Sequence, residues 1–150
     1  MNIFQHALLR LFLTLKGLGS PVALGVAGAV FDDDGRVLLV RQSYMPGWRL
    51  PGGGVGRGEA PETALLRELK EEVGLAGGTP VLKGIYSRRA GWVTNVILLF
   101  AVTGGHVDFR PNWEVREICF ADPVAPPQGV SDATRRRLAE LVGAPLSPDW

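Results

Sequence analysis

The chain has 150 residues, a formal net charge of +1, and 46% hydrophobic against 21% charged residues. That is enough for one sizeable core. It excludes whole-chain disorder, and no global field draws the molecule to nucleic acid or to a membrane. One cysteine, Cys119, excludes an internal disulfide framework and a cysteine-based zinc site, which fits a reducing compartment, the cytoplasm. Its apolar, strand-like setting (Ile118-Cys119-Phe120) predicts a small core residue.

Residues 3–17 predict a helix, with Phe4, Leu8, Leu11 and Leu15 at helical spacing and Gly17 and Gly19 ending it. His6, Arg10 and Lys16 interrupt the apolar run, which is too short to span a bilayer and lacks the order of a signal peptide. An amphipathic helix packed on the domain or on a second subunit is expected, with no membrane contact. The chain therefore divides into a helix over 1–20 and a domain over 21–150.

Val22 to Phe31 reads as a strand, and Val37 to Val40 as a second apolar run. Asp32-Asp33-Asp34-Gly35 between them predicts a hairpin turn rather than a metal loop, because the spaced ligands of a calcium loop are missing. Residues 43–58 form a loop dense in Gly and Pro. Residues 61–73 give the clearest helix. Pro61 suits its first turn, Leu65, Leu69 and Val73 make one buried stripe, and Gly74 is a natural stop. Strands follow at 80–86, 93–102 and 115–120, with a loop over 103–113. Ser131 caps a last helix through Val142, whose Arg135-Arg136-Arg137 reads as a solvated face. The pattern is a mixed α/β single domain without internal repeats.

Chemistry concentrates at the central helix. Glu68, Glu71 and Glu72 lie at i, i+3 and i+4, so three carboxylates share one face. Such a face suits bulk water or a cation. Oxygen ligands suit a hard divalent ion, Mg²⁺ or Mn²⁺, and Mg²⁺ favours sites that also hold substrate phosphates. Arg67 is spaced to pair with Glu71. The loop before the helix, with Gly52, Gly53, Gly54, Gly56 and Gly58, permits backbone N–H groups to approach an anion, although it is neither a Walker loop nor a dinucleotide fingerprint.

Residues 53–75, GGVGRGEAPETALLRELKEEVGL, resemble the Nudix box, Gly-x5-Glu-x7-Arg-Glu-U-x-Glu-Glu-x-Gly-U with U aliphatic. Gly53, Glu59, Arg67, Glu68, Leu69, Glu71, Glu72, Gly74 and Leu75 fill every specified position. The lead-in Trp48-Arg49-Leu50-Pro51-Gly52 is similar as well. The resemblance implies a Nudix fold, a mixed β-sheet packed between helices, here with an extra N-terminal helix. It implies hydrolysis of a phosphoanhydride bond in a nucleoside diphosphate derivative, by water attack on phosphorus. It places the divalent metal on Glu68, Glu71 and Glu72, with Gly53 shaping the loop and offering backbone atoms. Arg67 would orient a metal-binding glutamate, and Glu59 would be structural.

The general base is expected either in the box or on a later loop, where Glu114 is preferred over Glu117. Arg41, Arg88 and Arg89 are candidates for phosphate contact and Trp92 for stacking on a base, while Tyr44 and Trp48 flank the loop. No signature for NADH, coenzyme A, dinucleoside polyphosphates or ADP-ribose follows the box. A nucleoside triphosphate or nucleotide sugar is therefore the expected small-molecule partner. A non-catalytic Nudix-fold nucleotide sensor is the alternative, and a homodimer is compatible with the apolar first helix.

Overall fold

The computed structural model describes residues 3–150. Phe4 was expected on the apolar stripe, and its side chain lies outside the described residues. Ten elements follow in chain order: α1 (Ile3–Gly19), β1 (Val22–Val30), β2 (Val37–Gln42), β3 (Trp48–Arg49), β4 (Gly52–Gly54), α2 (Pro61–Val73), β5 (Leu75–Ala90), β6 (Val93–Val107), β7 (Val115–Ala121) and α3 (Asp132–Leu141).

The strands form two sheets, in the orders β4-β1-β6-β5 and β3-β2-β7. Pairing of β1 with β6 is parallel from Val22↔Thr94 to Val30↔Val102, and the other ladders are antiparallel. Period-two alternation divides the buried side chains into two cores. Val26 and Val30 of β1, with Leu38 and Val40 of β2, face Leu65, Leu69 and Val73 of α2. Their neighbours Ala27, Ala29, Val37 and Leu39 face Trp48, Tyr86 and Leu138 of α3. The β layer thus lies between two helices, as the resemblance implied. Burying each of Leu65, Leu69 and Val73 is worth about 1.5–3 kcal/mol. Their stripe seats α2 so close to β1 that a Cβ at Gly28 would press on Leu65 and Leu69.

The bounds of α2 match the expected helix, and Gly74 closes it in the left-handed conformation at φ 67°. Ser131 caps α3 by accepting from the Thr134 N–H.

Four expectations change. First, β1 and β2 do not form a hairpin ladder: after one bridge, Phe31↔Val37, they enter different sheets. β1 is already paired on both edges, by β4 and β6, so no edge remains for β2. The Asp32–Gly35 segment is still a plain turn, in which Asp32 Oδ1 accepts the Asp34 and Arg36 N–H groups at 3.0 and 2.8 Å. Second, β6 runs into the expected loop as far as Val107 and β5 outgrows the expected 80–86 at both ends, because the two pair from Leu75↔Val107 to Ala90↔Val93. Third, Cys119 is half-buried at the margin of the second core, where burial pushes its thiol pKa up.

The fourth change concerns Arg137, which is fully buried rather than solvated. Its guanidinium lies 3.8 Å from the Tyr86 ring centroid. It donates to Glu140 Oε1 at 2.8 Å and to the Asp149 carbonyl at 2.9 Å. Every partner comes from elsewhere in the fold or a later turn, so the triple-arginine run hides it.

The first helix is not packed into the domain. All of its described side chains are exposed, Leu11 at 56% and Phe12 at 59% among them.

Candidate active site

The short strand β4 sets the site's floor. Gly52 stands at φ 151°, and a Cβ there would overlap the Val26 carbonyl, so only glycine lets β4 lie against β1. A Cβ at Gly53 would overlap the Glu68 carboxyl, so the loop and α2 meet at that point.

Arg67 ties the loop to the helix. Its Nε and Nη2 donate to the two Glu59 oxygens at 2.9 and 3.0 Å, and Nη2 also reaches the Gly54 carbonyl at 3.1 Å. Nη1 donates to Glu68 Oε1 at 2.7 Å, whereas Glu71 lies at 3.6 Å. The expected Arg67–Glu71 pair is therefore the weakest of its ion pairs. Hydrogen bonds from Arg67, then the Gly56 N–H, hold the Glu59 pKa down to about 2. The hydrogen bonds of Arg67 to Glu59, then to Glu68, push its own pKa above the ordinary value.

Glu72 is the unusual group, a carboxylate only 2% exposed. Its Oε2 accepts the Gly52 N–H at 2.9 Å, and Gln42 Nε2 lies 3.5 Å from Oε1. Neither partner is a cation. Burial, followed by the charges of Glu114 and Glu68, pushes its pKa up to about 7. Tyr44 borders the same acids: burial first, then Glu114, Glu72 and Glu68, raise its pKa.

Among the described residues, no three acidic, His or Cys side chains converge on one metal position. The donor set nonetheless fits a hard divalent cation. Glu72 is buried beside Glu68 and Glu114 with too little positive charge to balance them, and a cation would supply it. Glu71 is the most exposed of the three helix carboxylates.

A cleft of about 320 Å³ opens beside β4, lined by Gln42, Arg49, Gly53, Arg88, Asn95 and Trp150 among others. Arg88 was anticipated there. Arg49, Gln42 and Asn95 were not. Arg49 stands in the lead-in to the box and lines the cleft; its buried Nε, like that of Arg137, has no partner among the described residues. Arg41 is engaged elsewhere, with Glu117 at 3.1 Å and the Trp48 ring at 4.5 Å. Trp92 lies at the β5–β6 turn, 77% exposed and outside the cleft lining. Of the two later glutamates, Glu114 faces the acidic group and Glu117 is held by Arg41.

A model of the NUDIX domain matches residues 21–142. The chain is 34% identical over 83 residues to a MutT-like protein of Streptomyces ambofaciens, covering 55% of this chain and 54% of the relative. It is 36% identical over 76 residues to an RNA pyrophosphohydrolase of Gluconobacter oxydans, covering 49% of this chain and 42% of the relative. These matches span about half the length of the curated relatives. The crystal structure of a MutT NUDIX hydrolase from Burkholderia pseudomallei superposes with a TM-score of 0.71 at 25% identity, over 81% of this chain and 99% of that one. The chain belongs to the NUDIX domain family.

Proposed function

We propose that this protein is a divalent-metal-dependent hydrolase that cuts a phosphoanhydride bond in a nucleoside diphosphate derivative, of the nucleoside triphosphate or nucleotide sugar class. The observation that carries the reading is Glu72: a buried carboxylate, short of positive charge, next to Glu68 and Glu114 and bonded to the glycine strand at the edge of an arginine-bearing cleft. The pyrophosphohydrolase name of one relative agrees with it.

In this reading Glu68, Glu71 and Glu72 hold Mg²⁺ or Mn²⁺, with Gly53 adding backbone atoms. When bound, the metal neutralises phosphate charge and acidifies the attacking water. Arg67 fixes Glu68 and, through Glu59 and Gly54, the loop against the helix. Arg49 and Arg88 offer guanidinium donors to the phosphates in the cleft. Glu114 takes the water's proton, because Glu117 is committed to Arg41.

A phosphate-release screen with Mg²⁺ or Mn²⁺ tests this. The panel holds nucleoside triphosphates, oxidised dGTP, ADP-ribose, nucleotide sugars, dinucleoside polyphosphates and NADH, with Glu72→Gln as control. Turnover on one class, lost in the control, supports the enzyme. Nucleotide binding without turnover on any of them supports a binding module instead.

A further inference from the structure

Acidic residues are segregated along this chain. Residues 1–31 and 73–107 contain no Asp or Glu and carry Arg10, Lys16, Lys83, Arg88 and Arg89, while the remaining segments hold all 15 acids. The fold brings the two acid-free segments together. Val22, at the root of α1, pairs with Thr94, and the Thr94 N–H donates to the Pro21 carbonyl at 3.1 Å. The β5–β6 turn therefore stands beside the point where α1 joins the domain. At that turn Trp92 is 77% exposed, and Arg89 Nε donates to the Gly91 carbonyl at 2.9 Å.

The first helix itself is amphipathic. At the helical repeat, Ala7, Leu8, Leu11, Phe12, Leu15 and Leu18 fall within an arc of roughly 140°. His6, Arg10 and Lys16 lie on the other side of the axis, interleaved there with the exposed Leu9 and Leu13. No described helix is long and apolar enough to cross a membrane. An apolar stripe, backed by cations and free of acids, next to an exposed tryptophan flanked by arginine, has the chemistry of an interfacial anchor.

We propose that α1 and the β5–β6 turn dock the protein on an anionic lipid surface, with α1 lying in the headgroup plane and Trp92 and Arg89 beside it. Charge decides against a second copy of the chain as occupant. A two-fold pair would set this face against itself, and residues 1–31 and 73–107, which hold no Asp or Glu, would offer the partner's Arg10, Lys16 and Arg89 no acid. Anionic headgroups answer them directly.

Flotation with vesicles made of equal parts phosphatidylglycerol and phosphatidylcholine tests the proposal, with phosphatidylcholine vesicles as control. The wild-type chain should float with the anionic vesicles, and raised salt should release it. L11D/L15D should abolish flotation, and R89E should weaken it by roughly fivefold or more. Both variants should melt like the wild type, because neither α1 nor the exposed turn enters a core. Wild-type protein that stays with neither vesicle type, or floats equally with both, overturns the proposal, as does unchanged flotation of L11D/L15D. Analytical ultracentrifugation identifies the rival: a wild-type dimer that L11D/L15D splits, without lipid binding, assigns α1 to a second copy.

Discussion

Two clusters of charge, one on each helix that covers the β layer, differ in balance. On α3, Arg137 is matched by Glu140 and stacked on Tyr86, and Tyr86 donates its hydroxyl to the other Glu140 oxygen at 2.7 Å. Its charges cancel, and aromatic rings close it off. On α2, Arg67 alone among the described residues forms ion pairs with Glu59, Glu68 and Glu71, and Glu72 and Glu114 add further carboxylates. A cluster whose charges balance needs no cation and acts as a lock. An acid-rich one beside a cleft is completed by a cation. The same residue types thus serve stability on one face and chemistry on the other.

The largest expected effect separates the two clusters by activity. Glu72→Gln should lower kcat by about 10³-fold or more, since the metal site and its charge are lost together. Circular dichroism and a thermal melt should show the fold retained. Arg137→Met should do the reverse. It leaves Glu140 buried without its cation and should cost about 3–5 kcal/mol in chemical denaturation. Turnover at a temperature where the variant remains folded should change little.

Acidity sharpens the contrast. In metal-free protein, Glu72 keeps its proton up to about pH 7, whereas the unfolded chain releases it near 4.5. Its contribution is therefore fully present below the unfolded value and is lost as pH rises through about 7. Metal-free Glu72→Gln should match the wild type at low pH. Above pH 7 it should gain on the wild type by up to about 3 kcal/mol, measured by denaturation across pH. Adding Mg²⁺ at that pH should stabilise the wild type and leave the variant unmoved. Glu59 behaves oppositely: its depressed pKa contributes stability above about 4.5 that fades as pH falls through about 2.

The smallest effect belongs to the cleft. Arg88→Ala and Arg49→Ala should each raise KM several-fold, with a smaller change in kcat, if they hold phosphates that do not react. Equal loss in kcat and kcat/KM would move either residue next to the reacting phosphorus.

Local sequence made the α2 region legible. Pro61, the Leu65–Leu69–Val73 stripe and Gly74 set its bounds, and the fixed spacing of Arg67, Glu68, Glu71 and Glu72 marked its acidic face. The β layer between two helices followed from the same resemblance. What escaped was tertiary. Nothing in the spacing says that Glu72 is the acid that turns inward, because that depends on Gly52 approaching from β4. Arg137 looked solvated because Tyr86, Asp149 and Trp150 lie far from it in the chain. The turn at Asp32 was readable, but the β1 edge that faces β2 is taken by β4, which arrives some twenty residues later after the intervening loop. Arg49 escaped for a similar reason: its place in the cleft lining, which depends on the packing of β4, β5 and β6, distinguishes it from a surface arginine.

The most direct measurement is Mn²⁺ binding at pH 8, followed by electron paramagnetic resonance on the wild type, Glu72→Gln and Arg137→Met. The wild type and Arg137→Met should bind the ion with the same affinity, and Glu72→Gln should bind it about tenfold or more weakly. Equal binding by all three would place the cation away from Glu72 and contradict the account.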